Sequence, residues 1–151
     1  MPANVTLCAR LLAEQGLRHH LDGEEGVIRV VFLTRAYRNP RGERLLIVSV
    51  ETPDDGQRLQ ARVRFACPQA ADRASVCLLA CRLAAEVPLV GFELDAEADE
   101  FWLVSEMPVL DGTVTSRQLL ALIDGVAAAA EQWQILVDRH PTIVRRVGIA
   151  A

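Results

Sequence analysis

Ala71–Val87, ADRASVCLLACRLAAEV, reads as a helix that is apolar around most of its circumference. At about 100° per residue, Val76, Leu79, Leu83 and Val87 form a bulky sector, and Ala74, Cys77, Cys81, Ala84 and Ala85 form a second sector of small side chains. Only Ser75, Arg82 and Glu86 make a polar strip. A helix on the outside of a domain needs one apolar stripe to hold it to a sheet. The bulky sector is therefore expected to pack on the chain's own sheet and the small sector on a second copy of the chain, whose backbone can come close there. The expected contact residues are Ala74, Cys77, Leu78, Cys81, Ala84 and Ala85.

Upstream of this helix, Leu59, Ala61, Val63 and Phe65 alternate with Arg58, Gln60, Arg62 and Arg64, the period of two of a strand with one dry and one wet face. Two more strands precede it. Val27–Arg35 (VIRVVFLTR) is rich in β-branched residues, and Arg44–Thr52 (RLLIVSVET) follows the turn formers NPRGE. PDDGQ, with Asp55 and Gly56, turns the chain into the third strand, giving an antiparallel meander. At the N-terminal end, Asn4 or Thr6 caps a first helix with Val5, Cys8 and Leu12 on one face, which stops at Gly16. LRHHLDGEEG carries turn formers and room for a short strand.

Downstream, Pro88 ends the organising helix. Val90, Phe92 and Leu94 alternate with Gly91, Glu93 and Asp95, AEAD reverses the chain, and FWLVSEMPV returns as the second strand of a hairpin. Thr115 and Gln118 form a capping box at the start of a long helix. Its apolar face carries Leu119, Leu122, Ile123, Val126, Ala130, Trp133 and Val137, with Gly125 on the opposite face. His140 and Pro141 end it, leaving residues 140–151 as a tail after one domain over residues 1–139. The fold class expected is α+β: a three-strand meander plus a hairpin in one antiparallel sheet, with helices in the order α-βββ-α-ββ-α.

The 151 residues are 51% hydrophobic and 24% charged, a balance that supports a packed core. All 16 basic residues are arginine, and the net charge of −4 argues against a dedicated nucleic-acid binder. The charge is uneven: 10 arginines face 8 acids up to Ala66, and 6 face 12 beyond it. No run reads as a membrane span, and MPANVTLCARLLAEQG lacks the pattern of a signal peptide, so a cytoplasmic protein is expected, with Cys8, Cys67, Cys77 and Cys81 as free thiols.

No motif names a reaction. Cys77 and Cys81, one helical turn apart, would need Cys8 or a histidine to hold zinc, and free cysteine otherwise behaves as a small hydrophobe. His19 and His20 point opposite ways on an extended chain, and His140 suits the negative end of its helix. Glu93, Asp95, Glu97, Asp99 and Glu100 lack the spacing of a calcium loop and read as a solvated turn or a dock for a basic partner. Neither metal nor cofactor is expected. Arg58, Arg62 and Arg64 share the polar face of the third strand, where they are either its wet side or a contact surface. Trp102 alternates with Phe101 and Leu103, so one aromatic residue leaves the core and joins them as a candidate partner-binding residue.

LLAEQGL, LQARVRFA, AAEVPLVGFELDAEADEFWLVSEMPV and TVTSRQLLALIDGVAAAAEQW, in this order over residues 4–139, make the chain resemble the YbjN-like proteins. More remotely it resembles the type III secretion chaperones of the Tir-chaperone class. The resemblance implies helices against an antiparallel sheet, a homodimer, and a role in holding other proteins or in regulation and stress responses, with no catalytic residues to carry over. Secretion chaperones are similarly small and acidic and bind extended client segments along apolar surfaces. The expected function is thus a non-enzymatic, homodimeric, chaperone-like or regulatory adaptor for a protein client. The alternatives are a chaperone dedicated to one secretion client and, from another class, a thiol- or zinc-dependent enzyme.

Overall fold

The computed structural model describes residues 4–66, 73–95, 97–98, 100–110 and 112–140. Helix α1 (Val5–Glu14) starts where the Asn4 side chain accepts the Leu7 N–H at 2.8 Å and ends before Gly16, whose φ of 69° is left-handed. Strands β1 (His19–Asp22), β2 (Val27–Leu33) and β3 (Leu45–Glu51) follow. The short strand allowed for in LRHHLDGEEG is therefore present, and β2 and β3 stop short of Arg35 and Arg44 because an 11-residue loop, rather than a tight turn, joins them. Asp54, Asp55 and Gly56 all take positive φ (55°, 54° and 82°), so α2 (Pro53–Gly56) is a single left-handed turn. Strand β4 (Arg58–Ala66), helix α3 (Arg73–Glu86), strands β5 (Gly91–Asp95) and β6 (Glu100–Pro108) and helix α4 (Ser116–Arg139) complete the α+β fold.

The six strands form one antiparallel sheet in the order β1-β2-β3-β4-β6-β5. Pairing is uneven. β4 and β6 match over nine residue pairs, Arg58↔Pro108 to Ala66↔Glu100, whereas β3 and β4 match only at Ser49↔Arg62, Val50↔Ala61 and Glu51↔Gln60. Beyond that seam the two strands part. The inner face carries Ile28, Val30, Leu46, Val48, Val50, Leu59, Ala61, Val63, Phe101 and Leu103, all buried.

Helix α4 covers the middle of that face. The Thr115 hydroxyl accepts the Gln118 N–H and the Gln118 side chain accepts the Thr115 N–H, which completes the capping box. Leu119, Leu122, Ile123, Val126, Ala130 and Trp133 are buried as the period requires, while Ala129 and Leu136 join them and Val137 stays at the rim. By length and composition α4 alone among the described helices could cross a membrane, which the sequence reading did not anticipate; here its apolar side packs on β3, β4 and β6. Trp133 meets Phe101 edge-on at 5.0 Å, Phe101 stacks on Phe65 at 5.0 Å, and Tyr37 and Phe92 close the group. This cluster gathers the single tyrosine, three of the four phenylalanines and one of the two tryptophans.

Two expectations need correction. Helix α3 meets the sheet at its β5 edge rather than at its centre: its bulky residues Val76, Leu79 and Leu83 are buried against α4 and that edge, because the longer α4 already fills the centre. Gly125 does not stand opposite the packed face either, but at its half-buried margin. A Cβ there would lie 3.9 Å from the Val90 side chain and 4.0 Å from Ser105 Oγ, both ordinary contacts, because the segment that enters β5 runs beside α4.

Gly125→Ala should therefore stabilise the fold by up to about 1 kcal/mol, read as a higher urea midpoint at unchanged slope. Cys8 is fully enclosed on the inner side of α1, and burial pushes its thiol from the ordinary 9.0 up to about 11. Above pH 9 the unfolded chain loses this proton and the folded one keeps it, so stability falls between pH 9 and about pH 11. The loss should be roughly 2–3 kcal/mol. Tyr37, raised by burial, adds to the decline, so the contribution of Cys8 is the part that Cys8→Ala removes in urea titrations across that range.

Candidate protein-binding surfaces

The outer face of the sheet has no helix over it, and the register places on it Arg58, Arg62 and Arg64 from β4, Trp102 and Glu106 from β6, Glu93 from β5, and Val31, Leu33, Leu45 and Ile47 from β2 and β3. Trp102 sits opposite Arg64 and Glu93, with Phe101 turned inward. The Arg62 guanidinium lies 4.2 Å from the Trp102 ring centre and that of Arg64 5.9 Å, so both cations lie within reach of the indole.

The arginine row is not a free basic patch. Arg58 binds Asp54 at 2.6 Å and Glu106 at 3.0 Å; Arg62 reaches Glu93 at 3.0 Å and Glu51 at 3.9 Å; Arg64 reaches Glu100 at 3.7 Å. Each cation is paired with acids from other strands of the sheet or, for Asp54, from the α2 turn, and Arg62 Nε is buried without a hydrogen-bond partner. The row and Trp102 are thus a cross-strand ladder that holds β5, β6, β4 and β3 in register.

What the sequence reading missed lies beside this ladder. Where β3 and β4 part, a groove of about 810 Å³ opens, with Leu45, Ile47 and Trp102 among its apolar lining and Tyr37, Pro40 and Arg41 on the loop side. Leu33 is 88% exposed and Ile47 49%. The signal was present in VIRVVFL, which is apolar at both parities and so promises a strand with two greasy faces. The loop wall is held from behind by Glu131 of α4, whose carboxylate accepts the backbone N–H groups of Arg35 (2.7 Å), Ala36 and Tyr37 (3.2 Å). No local pattern could show a contact across some 95 residues.

The second surface is α3. Ala74, Cys77, Leu78, Cys81, Ala84 and Ala85 are all exposed in the single chain, Leu78 at 71%, and Leu89 beyond the helix at 86%. The two exposed thiols are at the β5 end of the helical layer and Cys8 is on the inner side of α1 at the β1–β2 end, so the structure does not bring the three together. Among the described residues no group of three His, Cys, Asp or Glu side chains could hold a metal. His20 is exposed on the outer face, His19 Nδ1 lies 2.8 Å from the Leu17 carbonyl on the inner side, and His140 caps α4. In the acidic hairpin Asp95 accepts the Glu97 and Ala98 N–H groups, and Glu93 and Glu100 pair with arginine. Cys67, Asp99 and residues 141–151 lie outside the described residues.

No protein-family model matches the chain, and no curated protein matches it in sequence. Solved structures do. YbjN from E. coli superposes with a TM-score of 0.61 at 12% identity, over 92% of this chain and 94% of its own. SchA in the HopA1–SchA chaperone–effector complex gives 0.57 at 11% identity, over 86% and 91%. The Yersinia pestis type III secretion chaperone SycH, in complex with a fragment of YscM2, gives 0.54 at 18%, over 85% and 98%. The chain has the fold shared by YbjN and these secretion chaperones.

Glu131→Ala should cost about 2 kcal/mol in denaturant titration, since three amides lose a charged acceptor. Hydrogen exchange should accelerate at Arg35, Ala36 and Tyr37, with Glu131→Gln intermediate.

Proposed function

We propose that this chain is a non-enzymatic protein-binding module, a chaperone-like or regulatory adaptor that acts as a homodimer in the cytoplasm. The observation that carries the reading is the uncovered face of α3. Leu78 stands there among Ala74, Cys77, Cys81, Ala84 and Ala85, small side chains that let a second helix approach closely. Burying a leucine of this kind contributes about 1.5–3 kcal/mol, and two copies meeting across a two-fold axis bury it twice. The fold supports the adaptor role, since SchA and SycH are described in complex with an effector and a partner fragment. The same two complexes favour, as a second reading, a chaperone dedicated to one secretion client; recovery of a single stoichiometric client from native cells would select it. A thiol- or zinc-dependent enzyme has less support, given the separation of Cys8 from Cys77 and Cys81. In a reducing compartment the two exposed thiols stay unlinked.

Light scattering at micromolar concentration should give the mass of a dimer. Leu78→Glu or Ala84→Arg should give a monomer with an unchanged circular dichroism spectrum. A wild-type chain that is monomeric throughout the micromolar range overturns the homodimer.

A further inference from the structure

Arg10, Arg29, Arg58, Arg62, Arg64 and Arg82 each have a carboxylate within 4.0 Å. Arg18, Arg35, Arg38, Arg41 and Arg44 are exposed and have no carboxylate partner among the described residues. Backbone bonds place these five at the end of the sheet where β2 turns towards β3. The Thr34 N–H donates to the Arg44 carbonyl at 3.1 Å, the Gly42 N–H to the Asn39 carbonyl at 2.8 Å, and the Val31 N–H to the Arg18 carbonyl at 3.4 Å. Two acids meet this loop, and both are bound to its uncharged groups. Glu43 accepts from the Asn39 side chain, and Glu131 accepts the backbone N–H groups of residues 35–37.

The same end of the hairpin carries exposed aliphatic side chains. On the outer face Leu33 lies opposite Leu45 and Val31 opposite Ile47; Val31 and Ile47 are exposed, and Leu33 keeps 88% of its surface in water. A leucine so exposed projects from the protein instead of lining a pocket. Projecting aliphatic groups bordered by unpaired cations fit a partner that shows anions at its surface and hydrocarbon just beneath. Such a partner demands no side-chain register of its own.

We propose that the end of the β2–β3 hairpin docks on an anionic phospholipid bilayer, with Leu33, Val31 and Ile47 entering the headgroup layer and the five arginines bound to lipid phosphates. This goes beyond the adaptor reading and needs neither the dimer nor a client. Helix α3 lies on the far flank beside β5, so its bare face stays free for either. The acidic β5–β6 turn is at the same end of the sheet, but four strand spacings, roughly 19 Å, separate β2 from β5. That is more than twice the Debye length of about 8 Å at physiological salt, so the turn is largely screened from a membrane met by the β2–β3 corner. Nucleic acid fits less well. The exposed side chains Val31, Leu33 and Ile47 offer no aromatic face on which a base could stack.

The test is co-sedimentation of the full chain with phosphatidylcholine vesicles, with and without a third of phosphatidylglycerol. The chain should pellet with the anionic vesicles, at least tenfold more weakly with the neutral ones, and should be released by added salt. Each cation at an anionic surface is worth about fivefold in binding, so Arg38→Gln/Arg41→Gln should weaken it at least tenfold. Arg10→Gln/Arg82→Gln removes the same charge from α1 and α3 and should change binding less than twofold. Leu33→Ser should cost about tenfold. In Leu33→Trp an added emission should shift to the blue with anionic vesicles and be quenched by lipids brominated in their tails. All these positions are exposed, and circular dichroism checks each fold. A chain that stays in the supernatant, or pellets equally with both vesicles, overturns the inference. So does an equal loss in the two arginine pairs, which would make the effect one of net charge. Leu33→Ser without effect, or displacement from the vesicles by micromolar oligothymidine, overturns it in favour of a polyanion bound in solution. A monomer that pellets sinks the dimer alone, and a dimer that does not pellet sinks this inference alone.

Discussion

The contact between α4 and the β4–β6 pair is the constraint on which the remainder of the structure depends. Nine residue pairs hold β4 to β6, and α4 lies over both with Trp133 against Phe101 and Phe65. Aromatic pairs at these separations add about 0.5–1.5 kcal/mol each beyond the area they bury. Since the chain has few aromatic residues, concentrating them at one junction leaves aliphatic side chains to fill the periphery. α1 then packs on the β1–β2 side, and α3 takes the remaining flank beside β5. That secondary position explains why so much of α3 is bare: a helix at the margin of a layer touches neighbours on one side only.

Much of this was legible in the chain. The long helix showed itself by two independent signals that agree, a capping box at Thr115 and Gln118 and a sustained 3.6-residue period from Leu119 to Trp133. β4 was equally plain because its faces differ in kind, aliphatic or aromatic on one and arginine on the other. The tertiary placement of α3 was not legible, because a helix apolar nearly all round does not say which neighbour it will meet. Gly125 was misplaced for a related reason. Helical phase gives a residue's direction about the axis but not whether another segment waits there, and the entry to β5 does.

The surfaces were read in part. That Arg58, Arg62, Arg64 and Trp102 share a face followed from alternation, but their neutralisation by Glu51, Glu93, Glu100 and Glu106 depends on strands brought together by topology. Composition counted those charges correctly and placed the positive excess in the N-terminal half. What it could not do was separate arginines that are already satisfied from those that are not. That distinction depends on groups far apart in the chain, the strand acids that pair with arginine and Glu131, which binds the loop backbone instead.

The three-rung seam between β3 and β4 makes the sheet a jointed object. One leaf carries β1, β2 and β3, the other β4, β6 and β5, and outside those rungs the α2 turn, side-chain packing and the Glu131 clasp couple them among the described residues. A continuous sheet resists in-plane shear through every ladder hydrogen bond, whereas here the leaves can slide or fan apart at the open end for the loss of very few. The aperture between them is therefore adjustable, set by one carboxylate at the back and by whatever occupies the cleft in front.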